Sequence, residues 1–262
     1  MSRGRTQRVL TRRIEGDGSR RVQDDLIVEE PMSVRLDGEL VATTMRTPGD
    51  DFELAVGFLI TEGMLDDAPV LAVRYCGQGS AAAAEFNDVT VETGGVAPAP
   101  TPRLGPASSS CGICGSVAIE ELVERLEPLD LEPFDPAVLA GVTERIAGDQ
   151  ALFGTTGAVH AAVAFDRSGQ PLVLREDIGR HNAVDKVVGR LHLDGRLPAN
   201  DLGLWVSGRA SFEMAQKAWA AGFAALVAVS GPSALAVETA RTAGLQLAGF
   251  ARGDRLNLYT GD

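Results

Sequence analysis

Two thiols three residues apart, Cys111 and Cys114 in the run S-S-S-C-G-I-C-G, are the residues of this chain whose type and spacing most directly permit chemistry. Only Cys76 accompanies them, and so small and odd a count argues against a disulfide framework and for reduced thiols in a reducing compartment. Ile119, Leu122, Val123 and Leu126 follow with helical spacing, which puts the pair at the start of a helix. There the partial positive charge of unpaired N–H groups favours the thiolate, the nucleophilic form. On the residues alone three readings stay open: a nucleophilic thiolate, a thioredoxin-like redox pair, or half of a zinc site completed by Cys76 and one of His160, His181 or His192. The redox motif should open its helix directly after a strand, whereas this one follows a Pro/Ser loop. A zinc site lacks a second C-x-x-C or a paired His. Zinc-dependent deamination is excluded, because its H-x-E should precede P-C-x-x-C, yet His160 follows the cysteines and position 162 is Ala162. His160 fits equally a hydrogen-bonded core histidine on a strand.

Charged and glycine-rich turns supply the other candidates. In R-E-D-I-G-R-H-N-A-V-D-K-V-V-G, Arg180, His181 and Lys186 are placed to hold a phosphate or carboxylate, with Asp177 and Asp185 orienting them; a helix cap with surface ion pairs explains the segment equally well. S-G-R-A-S-F-E, with Ser207, Gly208 and Arg209, and S-G-P-S-A-L-A, from Ser230, set small residues and helix N-termini beyond strand ends, a geometry suited to phosphate groups. Neither is a P-loop or G-x-G-x-x-G. Arg252 and Arg255, at the end of a final long strand, add two anion-gripping guanidiniums.

The elements that must position these groups divide the chain into a sheet-rich N-terminal α+β part, residues 1–97, a Pro/Ser-rich loop, 98–110, and a C-terminal α/β core, 111–262. In the first, alternating apolar residues flank Asp37-Gly38 as in a β-hairpin, and Phe52, Ala55, Val56 and Leu59 mark a helix with one buried face that ends near Gly63. Residues 94–110 are too rich in Gly, Pro and Ser for a regular element. From Ala158 onward strands and helices alternate, with uniformly apolar strands, which predicts a largely parallel sheet covered by helices and ligands beyond its carboxyl ends.

With 45% apolar and 23% charged residues the 262-residue chain is a well-cored globular protein. Its longest apolar stretch, Trp219 to Val229, is too short to span a bilayer, and the arginines of the N-terminus precede no apolar signal core, so a cytoplasmic location is expected. The net charge of −12 is uneven: residues 1–21 carry +5, leaving −17 elsewhere, a body that repels nucleic acid. The basic start reads as a solvated strand edge or tail, or else as a dock for an acidic partner.

Taken in order, S-S-S-C-G-I-C-G, F-G-T-T-G-A-V-H-A-A, R-E-D-I-G-R-H-N-A-V-D-K-V-V-G, S-G-R-A-S-F-E-M-A-Q-K-A, V-S-G-P-S-A-L-A-V and G-F-A-R-G-D-R-L-N-L-Y-T closely resemble the formate dehydrogenase accessory sulfurtransferase family, also called FdhD/NarQ, over nearly the whole chain. The resemblance implies a cytidine-deaminase-like α/β core, a homodimer, and a role in maturing molybdenum or tungsten formate dehydrogenases. It implies that a cysteine desulfurase passes sulfur to Cys111 as a persulfide; Cys114, the other candidate catalytic thiol, is placed either to support that persulfide by hydrogen bonding or to attack it and release sulfide. The acceptor is the bis(molybdopterin guanine dinucleotide) molybdenum cofactor, bound as a substrate on its way to the catalytic subunit of formate dehydrogenase, and no permanently bound metal is expected. The family's cofactor-binding segment maps onto Phe250, Ala251, Arg252, Gly253, Asp254 and Arg255. Ala158 departs from the family, which usually has glycine there. The rival functions are a non-catalytic molybdenum-cofactor chaperone and a C-x-x-C thiol-disulfide oxidoreductase.

Overall fold

A computed structural model describes residues 4–76, 87–99 and 115–261. The arginine-rich start forms a two-stranded antiparallel ribbon, β1 (Thr6–Glu15) with β2 (Gly18–Ile27), most of whose side chains are exposed. The hairpin around Asp37-Gly38 is present as β3 (Glu30–Leu36) and β4 (Glu39–Arg46), both turn residues taking positive φ, 48° and 91°. With β5 (Ala72–Tyr75) and β6 (Asp88–Glu92) it makes a four-stranded sheet in the order β4-β3-β6-β5.

Helix α1 (Asp51–Thr61) departs from the one-faced burial read from its apolar spacing, because it is covered nearly all round. Leu54, Ala55, Val56 and Leu59 pack on the four-stranded sheet, and the opposite side lies against α5 (Arg180–Leu193). That crossing is backbone on backbone. A methyl at Gly57 would overlap the backbone of Asp185, and one at Gly189 would overlap that of Glu53, so each helix contributes the glycine that admits the other.

The second sheet has six strands: β7 (His160–Phe165), β8 (Pro171–Asp177), β9 (Gly203–Val206), β10 (Ala225–Ala228), β11 (Gln246–Arg252) and β12 (Arg255–Thr260), in the order β12-β11-β10-β9-β7-β8. Only the β9–β10 and β10–β11 pairings are parallel; β7 runs antiparallel to both β8 and β9, and β12 antiparallel to β11. The expectation of a largely parallel sheet is therefore corrected to a mixed one. Parallel neighbours require a crossover of a dozen or more residues, and the turns after Phe165 and Arg252 are far shorter. For the same reason the final long strand is a hairpin, broken at Gly253 with φ 62°.

Strand alternation feeds two cores. Ala162, Ala164, Leu204, Val206, Leu226 and Leu247 face α5, α6 (Phe212–Ala220) and α7 (Ala234–Ala243), while Ala161, Val163, Phe165, Trp205, Val227 and Ala248 face α3 (Pro136–Ile146). The result is a mixed α/β, three-layered unit. Helix α3 begins on the Asp135 cap with Pro136 in its first turn, and α4 (Ala151–Thr156) follows it. Helix α2 (Gly115–Arg125) follows the cysteine motif. Ile119 and Leu122 are buried as their spacing predicts, but Val123 is 47% exposed. Among the described residues no helix is long and apolar enough to cross a membrane.

Candidate functional site

The carboxyl ends of the three parallel strands open into a cleft of about 610 Å³. Ser207 after β9, Ser230 after β10, and Phe250, Arg252, Arg255 and Asn257 on the β11–β12 hairpin line it. Its floor continues the sheet: Ser230 N donates to Gly208 O and Phe250 N to Ser230 O, both at 3.2 Å. Ser207 ties this floor to β7 through Ser207 N to Ala161 O at 3.0 Å and Ala161 N to Ser207 Oγ at 3.0 Å.

Phe250 has φ 53°, a left-handed conformation costly for an aromatic residue, and its side chain is 52% exposed beside the cleft. It lies against Gly231, where a methyl would stand 2.7 Å from the ring. Arg252 and Arg255 face each other across the hairpin turn. Among the described residues neither guanidinium has a carboxylate partner, which leaves both available to an anion. The turn is held from α3, Thr143 Oγ1 donating to Ala251 O at 3.3 Å and Gly253 N to Glu144 Oε1 at 3.2 Å. Ala251 is fully buried and so offers the site only backbone, and Asp254 sits exposed at the hairpin tip.

A second cluster adjoins the first through Gly208, where a methyl would stand 3.7 Å from His160 Nδ1. His160 opens β7, and Arg180 and His181 open α5. Burial, with the positive charges of Arg180 and His181, lowers the pKa of His160. His181 Nε2 contacts Glu213 Oε2, in the first turn of α6, at 2.8 Å, and this hydrogen bond holds Glu213 below the ordinary carboxylate range. Arg209 is exposed between the two clusters.

The structure thus brings Ser207, Gly208, Ser230 and the Phe250–Arg255 hairpin together, with Arg180 and His181 alongside. It leaves Lys186 out. That side chain is fully buried, ion-paired to Asp177 at 2.7 Å and bonded to Thr47 O at 2.9 Å, so it has no access to a ligand in the cleft. Nor does Asp185 orient the anion-binding groups, because it is buried against Lys217. Asn257 and Glu213 were missed in the sequence. The signal for Asn257 was its place two residues beyond Arg255 on an alternating strand; for Glu213 it was the acidic residue in an N-terminal turn. Cys111, Cys114 and most of the 98–110 loop lie outside the described residues. Cys76 is partly buried at the end of β5, in the other sheet. Among the described residues no three His, Cys, Asp or Glu side chains converge as a metal site would require.

A model of the FdhD/NarQ family matches residues 27–262. The chain belongs to that family. Members similar to it include the sulfur carrier protein FdhD of Streptomyces avermitilis, 45% identical over 91% of this chain and 88% of its own, that of Anaeromyxobacter dehalogenans, 46% identical over 91% and 87%, and that of Nocardia farcinica, 45% identical over 95% and 91%. The fold is similar to that of a putative formate dehydrogenase accessory protein from Desulfotalea psychrophila, with a TM-score of 0.79, 23% identity and 98% of each chain covered. Within this FdhD/NarQ chain the β1–β2 ribbon precedes nearly all of the family match.

Proposed function

We propose that this chain is a sulfur carrier that receives sulfur on Cys111 from a cysteine desulfurase and passes it to the bis(molybdopterin guanine dinucleotide) molybdenum cofactor, for the catalytic subunit of a formate dehydrogenase. The observation that most supports this is the cleft. Its exposed aromatic ring, two arginines that have no carboxylate partner among the described residues, and two serine hydroxyls suit a planar heterocycle joined to a pyrophosphate. The names of its relatives, sulfur carrier and formate dehydrogenase accessory protein, point the same way. From the resemblance we also carry a homodimer and a cytidine-deaminase-like core, and from the small, odd cysteine count, read as reduced thiols, a cytoplasmic location.

The chemistry needs a thiolate at each end. The Cys111 thiolate attacks the outer sulfur of the donor's persulfide and the donor thiolate leaves; on delivery an electron pair from the reduced acceptor would bond the outer sulfur as the S–S bond breaks, so that the acceptor is oxidised by two electrons, the sulfur is reduced to the sulfide level and the Cys111 thiolate is released. Phe250 orients the heterocycle by stacking, and Arg252 and Arg255 hold its phosphates. Cys114 either supports the persulfide by hydrogen bonding or discharges it by attack, and the adduct lifetime in Cys114→Ala separates the two, since loss of a discharging residue prolongs it.

Incubation with a cysteine desulfurase and cysteine gives a mass gain of about 32 Da in the wild type and none in Cys111→Ala. An equal gain in both overturns the reading. The rival reading is a chaperone that holds the cofactor without sulfur chemistry, for which the cleft alone would suffice. That reading predicts normal formate dehydrogenase activity in cells carrying Cys111→Ala, whereas the carrier predicts inactive enzyme with its metal bound.

A further inference from the structure

The β1–β2 ribbon stands on a pinned base and presents an uncovered face. At its foot Arg5 donates to Pro48 O at 3.0 Å and to Asp50 Oδ2 at 2.8 Å, and Val28 N donates to Arg5 O at 2.9 Å. Beyond the foot, side chains alternate between two faces. One face, with Val9, Thr11 and Val22, is partly buried, and β2 lies against α4. The other carries Leu10 and Ile14, 63% and 71% exposed, and beside them Arg12 paired directly with Arg21.

That face is costly to leave in water. Like charges set opposite each other destabilise a strand pair, and two strands alone are marginally stable unless something packs on them. Arg12 donates to Ser19 Oγ at 3.1 and 2.9 Å, and among the described residues neither Arg12 nor Arg21 has a carboxylate partner. A second ribbon cannot supply one, because it brings the same arginines. The rest of the chain can: residues 22–262 carry −17 against the +5 of residues 1–21.

The complementary surface is the outer side of α2. Glu120, Val123, Glu124 and Glu127 recur at i, i+3, i+4 and i+7, a single helix face, and all four are exposed. The opposite face is fixed to the body, with Ile119 and Leu122 buried and Leu126 packed on the main core. The result is an apolar spot rimmed by three carboxylates that have no cationic partner among the described residues. Glu120 to Glu127 spans about 11 Å of helix and Leu10 to Ile14 about 13 Å of strand, so the two surfaces match in length as well as in charge. Within one chain they face different neighbours, the ribbon α4 and α2 helix α7.

We propose that the ribbon is an intermolecular arm that lies on α2 of a second copy of this chain, with Leu10 and Ile14 against Val123 and with Arg12 and Arg21 among Glu120, Glu124 and Glu127. This rests on the homodimer carried from the resemblance and names the surfaces that hold it together. Two-fold symmetry makes the contact reciprocal, each copy lending a ribbon and receiving one.

Sedimentation equilibrium of the full chain tests this. The wild type is a dimer that weakens as NaCl rises from about 50 to about 500 mM, because exposed ion pairs are screened. Arg12→Glu with Arg21→Glu raises the dissociation constant by roughly a hundredfold, as does Glu120→Lys with Glu124→Lys, and all four changes in one chain restore most of the association. Binding of GDP to the cleft is unchanged in each variant, which marks an intact fold. A monomeric wild type removes the homodimer, and the arm falls with it. A dimer indifferent to both charge reversals leaves the homodimer standing and overturns the arm, as does a pair of weakened variants that the combined one does not rescue.

Discussion

Lys217 and Asp185 form a buried ion pair in which Nζ reaches both carboxylate oxygens, at 2.9 and 3.1 Å, with side chains only 4% and 2% exposed. Burial opposes the charge on Lys217, but Asp185 and Glu62 outweigh it and raise the lysine above its ordinary range. Removing one partner is costly because the other stays buried and uncompensated. Lys217→Met is expected to lose roughly 3 to 5 kcal/mol of stability. Burial already raises the Asp185 carboxyl above its ordinary range, and losing the lysine that opposes this raises it further, so stability is retained at low pH and lost as pH rises. Urea unfolding at about pH 5 and about pH 8 should therefore show the larger deficit at the higher pH; an equal deficit at both contradicts this account.

Gly57 and Gly189 are helical positions where alanine would ordinarily help by up to about 1 kcal/mol. Here the added methyl meets the backbone of the opposing helix. Each Gly→Ala change is expected to destabilise by roughly 1 to 3 kcal/mol or more, read as a fall in the denaturant midpoint with little change in slope.

The cleft arginines should act on ligand and not on fold, since both are exposed. Arg252→Ala and Arg255→Ala each remove a charge-assisted hydrogen bond of roughly 1.5 to 3 kcal/mol, so titration calorimetry with GDP should show affinity falling by about ten- to a hundredfold. Thermal midpoints within a degree or so of wild type accompany that loss; unchanged affinity removes these residues from the site.

His160 gives a pH signature. Its folded-state pKa lies below the ordinary 6.5, so the unfolded chain binds the proton more readily. Its contribution is complete above about pH 6.5 and declines as pH drops below it. Asp177 opposes this shift and Arg180 and His181 reinforce it. Because His192 is lowered as well by burial, the check is a difference: thermal midpoints of His160→Asn should fall less steeply than wild type between about pH 6.5 and about pH 5.

How much of this was legible in advance varied with the range of the interaction. The Asp37-Gly38 hairpin could be read from two residues because positive φ at both is a local requirement. The strands that carry Ser207 and Ser230 could be read from apolar runs, and the Phe250–Arg255 segment from the arginines around Gly253, since spacing and residue type already fix what the backbone and side chains there can do. The family, too, was carried by motifs in linear order.

What only the tertiary structure decided was pairing. Sheet direction at β7, β8 and β12 depends on which strands become neighbours, and apolar composition alone does not specify whether a neighbour runs parallel or antiparallel. Lys186 and Arg252 are both cations near strand ends, yet one is sealed against Asp177 and the other opens to the cleft. A charge's role is set by what folds over it, and that depends on partners more than a hundred residues away, as with Thr47 for Lys186 and Thr61 for Lys217.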